Sequence, residues 1–271
     1  MFLQRALVTL ILGPLALFLV YQGGLAYFLP VAALLAAATI EYINLMRHTG
    51  RHMSLLIMMP SVMLLWIVGQ WPTLANTLPA LGIGLFLVMI YALWLYEKQV
   101  VENVALDWMA MIGGILILGW IGSHFFLIRN LAQDAWQWTT LALLGTWVAD
   151  SAAYLVGRFL AGKIMLGRHP LSPRLSPKKT VEGYAGGIVF AVLIVVIAAN
   201  FMGISLIAAF ILAILVSAVS PLGDLAISLL KREAGVKDSG SLLPGHGGAL
   251  DRIDSLMWSV MMVYYLALLI S

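Results

Sequence analysis

The 271-residue chain has no cysteine, which excludes disulfides, thiolate metal ligands and a cysteine nucleophile. Histidine is sparse as well, with five residues, so a structural zinc site is not expected. Charged residues make up only 10% of the chain, whereas hydrophobic residues make up 62%. No complete G-x-x-x-x-G-K-[ST], G-x-G-x-x-G or G-x-S-x-G pattern is present. The sequence therefore lacks the marks of a soluble nucleotide-binding domain or of a serine hydrolase.

Long apolar runs recur through the whole chain and predict membrane-spanning helices, each of which needs roughly 20 mostly apolar residues. We expect an all-α, polytopic integral membrane protein that forms a single membrane domain over residues 1–271. Residues 1–130 would supply scaffold helices, and residues 138–271 would supply the catalytic helices and loops. About nine spans are predicted, near residues 5–21, 25–46, 53–69, 78–96, 106–127, 138–157, 184–200, 203–219 and 253–270.

Basic residues are distributed unequally between the two sides of such a bundle. If the N-terminus lies in the cytoplasm, fourteen of the fifteen Lys and Arg residues fall on that side and only Arg129 lies opposite. Positive residues in short loops favour the cytoplasmic face, which predicts a multi-pass protein of the inner (cytoplasmic) membrane. The polar loops 158–183 and 220–252 then share the cytoplasmic face and are expected to build one site. We attribute the net charge of +3 to this topology and expect no nucleic-acid partner.

The first polar segment begins within the sixth predicted span. Asp150 lies in an otherwise apolar helix, where a carboxylate is costly unless it is paired, faces water or binds a cation. A salt bridge to Arg158 is the structural alternative to a functional role. Beyond the helix, a proline-containing loop carries Ser176, Lys178 and Lys179, whose hydroxyl and ammonium groups suit phosphate oxygens. Attraction to anionic lipid headgroups explains the two lysines equally well.

The second polar segment, residues 228–254, holds four of the twelve acidic residues and four of the fifteen Lys and Arg residues. Ser220 and Pro221 are typical of an N-cap and a first helical residue, so a short interfacial helix is expected to begin there and to stop at Gly235. A glycine-rich turn, residues 244–248, follows, and its backbone N–H groups can approach an anion closely. Carboxylates beside lysines and such a turn suit Mg²⁺ with a bound polyphosphate. The residues alone thus predict a membrane enzyme that binds a phosphate-rich ligand with a divalent cation.

The first four or five spans carry little charge and are interpreted as scaffold, lipid contact or the surface of a homodimer. Glu41 lies with Asn44 at the inner end of the second predicted span. We interpret Glu41 as an interfacial carboxylate that extends toward the lipid headgroups.

Residues 228–254 resemble the signature of phosphatidate cytidylyltransferases (CDP-diacylglycerol synthases), S-x-x-K-R-x4-K-D-x-G-x2-L-P-x-H-G-G-x2-D-R-x-D. Ala249 departs mildly from that pattern, since the family usually has a larger aliphatic residue there. The surroundings of Asp150 and the run Ser176-Pro-Lys-Lys-Thr-x-Glu-Gly are similar to the same family, so the resemblance covers roughly residues 146–255. The matching signature positions are Ser228, Lys231, Arg232, Lys237, Asp238, Gly240, Leu243, Pro244, His246, Gly247, Gly248, Asp251, Arg252 and Asp254.

The resemblance implies transfer of a cytidylyl group from CTP to phosphatidate, which gives CDP-diacylglycerol and pyrophosphate in phospholipid biosynthesis. It implies Asp224 and Asp251 as metal ligands, at a site of one or two cations that include Mg²⁺. The implied CTP-binding residues are Asp150, Ser176, Lys178, Lys179, His246, Gly247 and Gly248. The other implied catalytic residues, of which the basic ones would hold the lipid headgroup or the triphosphate, are Lys231, Arg232, Lys237, Asp238, Arg252 and Asp254.

Three other functions are weighed against this one. In a transporter or channel the polar residues would gather near the midplane between broken helices, whereas here they gather in loops on one predicted face. The D-G-x2-A-R…G-x3-D-x3-D pattern of CDP-alcohol phosphotransferases is absent. A non-catalytic scaffold would not need carboxylates beside glycine-rich loops.

Overall fold

A computed structural model describes residues 2–99, 102–163, 169–240 and 247–270, with side chains from residue 11 onward. Helices and one small sheet account for most of these residues. In chain order they are α1 (Phe2–Gln22), α2 (Gly24–His48), α3 (Leu55–Gln70), α4 (Thr77–Glu97), α5 (Val104–Gly114), a π-helical stretch (Ile115–Ile121), α6 (Gly122–Arg129), α7 (Ala135–Phe159), β1 (Pro170–Ser172), β2 (Ser176–Thr180), α8 (Val181–Met202), α9 (Leu206–Glu233) and α10 (Leu250–Ile270).

Within the described ranges, seven helices are long and apolar enough to cross a membrane. They are α2, α4, the continuous stretch from α5 to α6, α7, α8, α9 and α10. These helices coincide with seven of the nine predicted spans and confirm a predominantly α-helical, multi-pass membrane protein. The other two predicted spans coincide with α1 and α3, whose described apolar stretches, Ile11–Gln22 and Leu55–Gln70, are shorter. The count of nine and the orientation of the loops stay predictions.

The chain divides into two compact units, each of which combines two separate stretches of sequence. The first unit contains Met1–Asn130 and Leu230–Arg252, and the second contains Leu131–Leu229 and Ile253–Ser271. Most of the signature segment, Leu230–Arg252, is thus grouped with the N-terminal helices, although the sequence placed it in the catalytic half. The single membrane domain stays a prediction.

In the first unit, a π-helical stretch lies between α5 and α6. The stretch packs closely on α3, because a Cβ added to Gly119 would lie 2.7 Å from Leu65 Cδ1. From the same helix, the fully buried Trp66 donates from Nε1 to the carbonyl of Leu118 at 2.8 Å. Side-chain donors of this kind satisfy carbonyl groups where the regular ladder of helical hydrogen bonds is disturbed.

The second unit is built on the close packing of α7 against α8. A Cβ added to Gly183 would lie 2.5 Å from the carbonyl oxygen of Ala153, and one added to Gly187 would lie 2.8 Å from that of Ala149. Because only glycine fits at these positions, the two backbones approach more closely than larger residues would allow. The α8 helix begins at a capping residue, Thr180, whose Oγ1 accepts a hydrogen bond from the backbone N–H of Gly183 at 3.0 Å. The end of β2 is therefore held directly against α7.

The proline-containing loop forms a short antiparallel hairpin, which the all-α prediction did not include. Strands β1 and β2 pair Pro170 with Thr180 and Ser172 with Ser176, with an irregularity in register between the two pairs. Proline is tolerated because both strands of a two-stranded sheet are edge strands, on which an unpaired backbone nitrogen faces outward.

The expectation that an interfacial helix begins at Ser220 is wrong, because α9 continues through this position. Pro221 lies inside the helix and provides no N–H for the carbonyl of Ser217. Ala218 lies in the turn before this proline, and its carbonyl accepts a hydrogen bond from the hydroxyl of Tyr184 in α8 at 3.0 Å. Membrane helices tolerate proline where neighbouring groups satisfy the backbone in this way.

The expected stop of this helix at Gly235 is confirmed. Gly235 has φ +70°, and its N–H donates to the carbonyl of Arg232 at 3.1 Å. The N–H of Val236 donates to the carbonyl of Lys231 at 2.9 Å, which completes a Schellman motif. The motif fixes the backbone of Lys231 at the end of α9.

Candidate functional site

In the second unit, a lysine from β2 forms an ion pair with an aspartate from α9. Lys179 Nζ contacts Asp224 Oδ2, and both side chains are about one-quarter exposed (29% and 27%). Asp150 of α7 is exposed and interacts electrostatically with both members of the pair. The structure thus brings together Asp150, Lys179 and Asp224, three of the residues predicted to bind CTP or metal. The described contacts of Arg158 are with Tyr154 and Phe159, which does not support the alternative salt bridge to Asp150.

The position of Lys179 follows from the hairpin and from the cap of α8. Lys179 precedes the capping residue Thr180, and the residue before it, Lys178, is exposed. Successive side chains of a strand point to opposite faces, so the two lysines are separated although they are adjacent in sequence. The chain before β1 is tied to α8 as well, because His169 Nδ1 lies 2.7 Å from Glu182 Oε1. Ser176, at the start of β2, is half-buried and has no described contact with the ion pair.

In the first unit, a second lysine–aspartate pair joins the end of α9 to the start of α10. Lys231 Nζ donates to Asp251 Oδ1 at 2.5 Å, and both side chains are about nine-tenths buried. A buried ammonium is unfavourable without a partner, so Asp251 compensates the charge of Lys231 directly. The two residues lie 20 positions apart in the chain.

The other oxygen of Asp251 is held by donors on both sides of residues 241–246, which lie outside the described ranges. Oδ2 accepts from the backbone N–H groups of Ser239 at 2.9 Å and of Gly248 at 3.0 Å, and it lies 3.0 Å from the hydroxyl oxygen of Ser239. Gly247 has φ +76°, and a Cβ there would lie 2.7 Å from the same oxygen. In the described part of the glycine-rich turn, Gly248 therefore directs its N–H at Asp251, and the positive φ and the nearby oxygen favour glycine at position 247.

Sequence analysis missed one residue of this cluster, Glu41 of α2. Glu41 Oε2 accepts from Ser239 Oγ at 2.8 Å and from the N–H of Leu250 at 2.9 Å, and Oε1 accepts from the N–H of Ala249 at 2.9 Å. The interpretation of Glu41 as a carboxylate directed at lipid headgroups is therefore wrong. The available signal was a carboxylate near the end of an apolar helix, which is usually paired within the protein.

The remaining predicted residues are distributed around these two clusters. Several are exposed at the end of α9, in the segment after it and in the first turn of α10, namely Arg232, Lys237, Asp238 and Arg252. Asp254 is buried in the second unit, where a Cβ on Gly223 would lie 2.5 Å from its carbonyl oxygen. His246 lies outside the described residues. The binding and catalytic roles of all these residues stay predictions.

The donor groups of both clusters fit a magnesium ion better than a transition metal. In the part of the chain that the structure describes, no group of three or more His, Cys, Asp or Glu side chains could hold a metal ion. Mg²⁺ usually takes one or two protein carboxylates and leaves its other positions to phosphate and water. Asp224 and Asp251 provide such carboxylates, and each already has a positively charged ammonium group within contact distance. The chemistry of these oxygens is therefore compatible with a hard cation.

Comparisons with known proteins place these features in a family context. The model of the family described as "Cytidylyltransferase family" matches residues 3–270. A phosphatidate cytidylyltransferase of Bacillus subtilis is 33% identical over 99% of this chain and 98% of its own length. Another from Synechocystis is 32% identical over 98% of this chain and 97% of its own. A third, from Staphylococcus saprophyticus, is 37% identical over 53% of this chain and 54% of its own.

Proposed function

The chain belongs to the cytidylyltransferase family, and we propose that it transfers the cytidylyl group of CTP to phosphatidate, with release of pyrophosphate. Relatives that match nearly the whole chain carry the name of this activity. The observation that carries the proposal at the level of residues is the buried pair of Lys231 and Asp251. It joins a group suited to phosphate and a group suited to Mg²⁺ within hydrogen-bond distance.

The reaction needs no protein nucleophile. A phosphate oxygen of phosphatidate would form the new bond to the α-phosphorus of CTP, while the bond from that phosphorus to the oxygen bridging to the β-phosphorus breaks. The leaving group is pyrophosphate, and the attacking oxygen is already ionised. The task of the protein is therefore to position the two substrates in line and to compensate the negative charge of their phosphates.

Two lysines are proposed to bind these phosphates, and each is paired with a carboxylate in the structure. Lys179 pairs with Asp224 in one unit, and Lys231 pairs with Asp251 in the other. A triphosphate competes with a carboxylate for an ammonium group, because both are anions with exposed oxygens. We therefore propose that substrate binding transfers the lysines from carboxylate to phosphate and frees carboxylate oxygens.

The freed carboxylates define the proposed role of the metal. Asp224 in one unit and Asp251 in the other are the carboxylates proposed as ligands of Mg²⁺, which would supply neutralisation of the charge on the triphosphate. The buried position of Lys231 keeps the surroundings of Asp251 electrically balanced before substrate arrives. Gly248 keeps the orientation of Asp251 through its backbone N–H.

We propose that the site faces the cytoplasm, where soluble CTP meets a lipid phosphate of the inner leaflet. The support is the distribution of Lys and Arg in the sequence, which favours this face for both polar loops. Lipid contact and a homodimer through the N-terminal helices remain predictions of the same account.

The activity is tested with purified protein in mixed micelles that contain phosphatidate, CTP and Mg²⁺. We expect pyrophosphate and CDP-diacylglycerol to form in equal amounts, and both to depend on phosphatidate. Diacylglycerol in place of phosphatidate is the matched control, because it lacks the attacking phosphate. Absence of turnover with phosphatidate, or equal turnover with diacylglycerol, would contradict the proposed reaction.

A further inference from the structure

Glu41 of α2 joins two segments that are distant from it in sequence. Its carboxylate accepts three hydrogen bonds, from Ser239 Oγ at 2.8 Å and from the N–H groups of Ala249 and Leu250 at 2.9 Å each. The last two donors lie at the N-terminus of α10 and have no acceptor within that helix. The positive end of the helix dipole also favours a carboxylate at this position.

The backbone around Glu41 leaves room for this carboxylate and for little else. A Cβ added to Gly240 would collide with Glu41 Oε1, and one added to Gly248 would collide with Oε2. These glycines flank residues 241–246 on either side. Close packing on both sides, together with three hydrogen bonds, distinguishes Glu41 from a surface carboxylate that meets the chain by chance.

Ser239 connects Glu41 to Asp251. The hydroxyl oxygen of Ser239 lies 2.8 Å from Glu41 Oε2 and 3.0 Å from Asp251 Oδ2. The backbone N–H of Ser239 donates to the same oxygen of Asp251 at 2.9 Å. A shift of Ser239 would therefore displace the backbone N–H that binds Asp251. The carboxylate of Glu41 restrains Ser239 by accepting the hydrogen bond of its hydroxyl group.

Glu41 also restrains Asp251 through the helix that carries it. Asp251 directly follows Leu250 and Ala249, whose N–H groups bind Glu41. Lys231 binds the opposite oxygen, Oδ1, of Asp251 from the end of α9.

We propose that Glu41 is a positioning residue of the reaction: it fixes the carboxylate of Asp251 through Ser239 and through the N-terminus of α10. The inference rests on the proposed function, in which Asp251 binds the cation. Glu41 itself need not touch either substrate. Residues that orient a metal ligand typically change metal affinity or activity by about 10- to 100-fold when they are replaced.

The test uses the full-length protein with Glu41→Ala and, as matched control, Asn44→Ala, an exposed residue one turn along α2. We expect Glu41→Ala to lower kcat about 10- to 100-fold with little change in the KM for CTP, and Asn44→Ala to leave both unchanged. Added formate should restore part of the lost rate, because it can occupy the space and the donors of the missing carboxylate. Formamide, which has the same size and no charge, should not.

A second readout does not depend on turnover. Hydrogen exchange of the backbone amides at 247–257, measured without Mg²⁺, should accelerate in Glu41→Ala and slow again with formate. A residue that only stabilises the fold would lose activity without recovery by formate. If Glu41→Ala fails to fold, the nearly isosteric Glu41→Gln decides, and we expect its kcat to fall while its KM for CTP is kept.

The outcomes distinguish failure of the positioning role of Glu41 from failure of the proposed reaction. Full activity of the Glu41 variants, or equal recovery by formate and formamide, would overturn the positioning role while leaving the reaction intact. Absence of turnover in the unaltered protein would overturn the proposed function and this inference with it. Hydrogen exchange at 247–257 then shows only whether the Glu41 carboxylate restrains the backbone at the start of α10.

Discussion

Lys231 donates to Asp251 at 2.5 Å, although the two residues lie 20 positions apart in the chain, and both side chains are about nine-tenths buried. In the other unit, Lys179 and Asp224 form a second pair of the same kind with greater exposure. In each pair, a lysine proposed to bind phosphate is held by a carboxylate proposed to bind a cation. The resting protein thus balances its own charges at the positions where substrate charges are expected.

Loss of Lys231 is predicted to destabilise the protein. Lys231→Met leaves Asp251 buried without its ammonium partner, and we expect the free energy of unfolding to fall by about 3 kcal/mol, since Asp251 keeps its two backbone N–H donors. Lys237→Met is the control, because this lysine is exposed and should change stability by less than about 0.5 kcal/mol. Unfolding in mixed micelles measures both. Equal losses for the two variants would contradict the structural role of the pair.

The adjacent lysines of β2 are predicted to differ in function. Lys179→Gln removes the ammonium that pairs with Asp224, and we expect kcat/KM for CTP to fall about 10- to 100-fold through weaker compensation of phosphate charge. Lys178→Gln changes an exposed residue on the opposite face of the strand, so its effect should be several-fold smaller. Steady-state kinetics with both variants decide the matter. A larger loss in Lys178→Gln would reverse the assignment.

A hydroxyl group beside Pro221 is predicted to stabilise α9. Tyr184→Phe removes the donor to the carbonyl of Ala218, and we expect the protein to lose about 0.5–1.5 kcal/mol of stability. Tyr154→Phe serves as control, since Tyr154 is exposed and its hydroxyl accepts from the exposed Arg158. Thermal unfolding in micelles compares the two variants. If both lose the same stability, the hydrogen bond beside the proline is not what supports the helix.

The sidedness of the polar loops is open to direct labelling, because the natural chain has no cysteine. Arg174→Cys places a thiol on the exposed β1–β2 turn, which we expect to react with a membrane-impermeant maleimide only after cells are permeabilised. Gln133→Cys, in the exposed segment before α7, should react in intact cells. Labelling of Arg174→Cys in intact cells would contradict the cytoplasmic orientation.

The sequence carried enough information to predict most long helices, because apolar runs of sufficient length occur only where a helix can bury them in lipid or protein. It also predicted Asp224, Asp251, Lys179 and Lys231 as site residues by resemblance, and the structure places these four in two ion pairs. The path of α9 could not be predicted, since Ser220 and Pro221 have the local chemistry of a helix start. In the folded protein the helix continues past them, and Tyr184 of α8 donates a hydrogen bond to the nearby carbonyl of Ala218.

Glu41 shows a second limit of sequence analysis. Its partners lie 198 to 209 residues further along the chain, and nothing in the sequence around Glu41 indicates them. The hairpin of β1 and β2 was missed for a related reason, since prolines and charged residues are depleted in strands. Pairings of this kind are determined by tertiary contacts, which a local pattern does not contain.

The most direct measurement compares Asp251→Asn with Asp134→Asn in the release of pyrophosphate from CTP with phosphatidate and Mg²⁺. Asp134 is exposed and outside both clusters, and Asn tolerates its left-handed backbone (φ +52°), so this control keeps the chemical change and should retain full activity. We predict that Asp251→Asn loses most of the rate, by about 100-fold or more, because it removes the charge of the proposed metal ligand. Full activity of Asp251→Asn in folded protein would contradict the central claim that this carboxylate serves the transfer of the cytidylyl group.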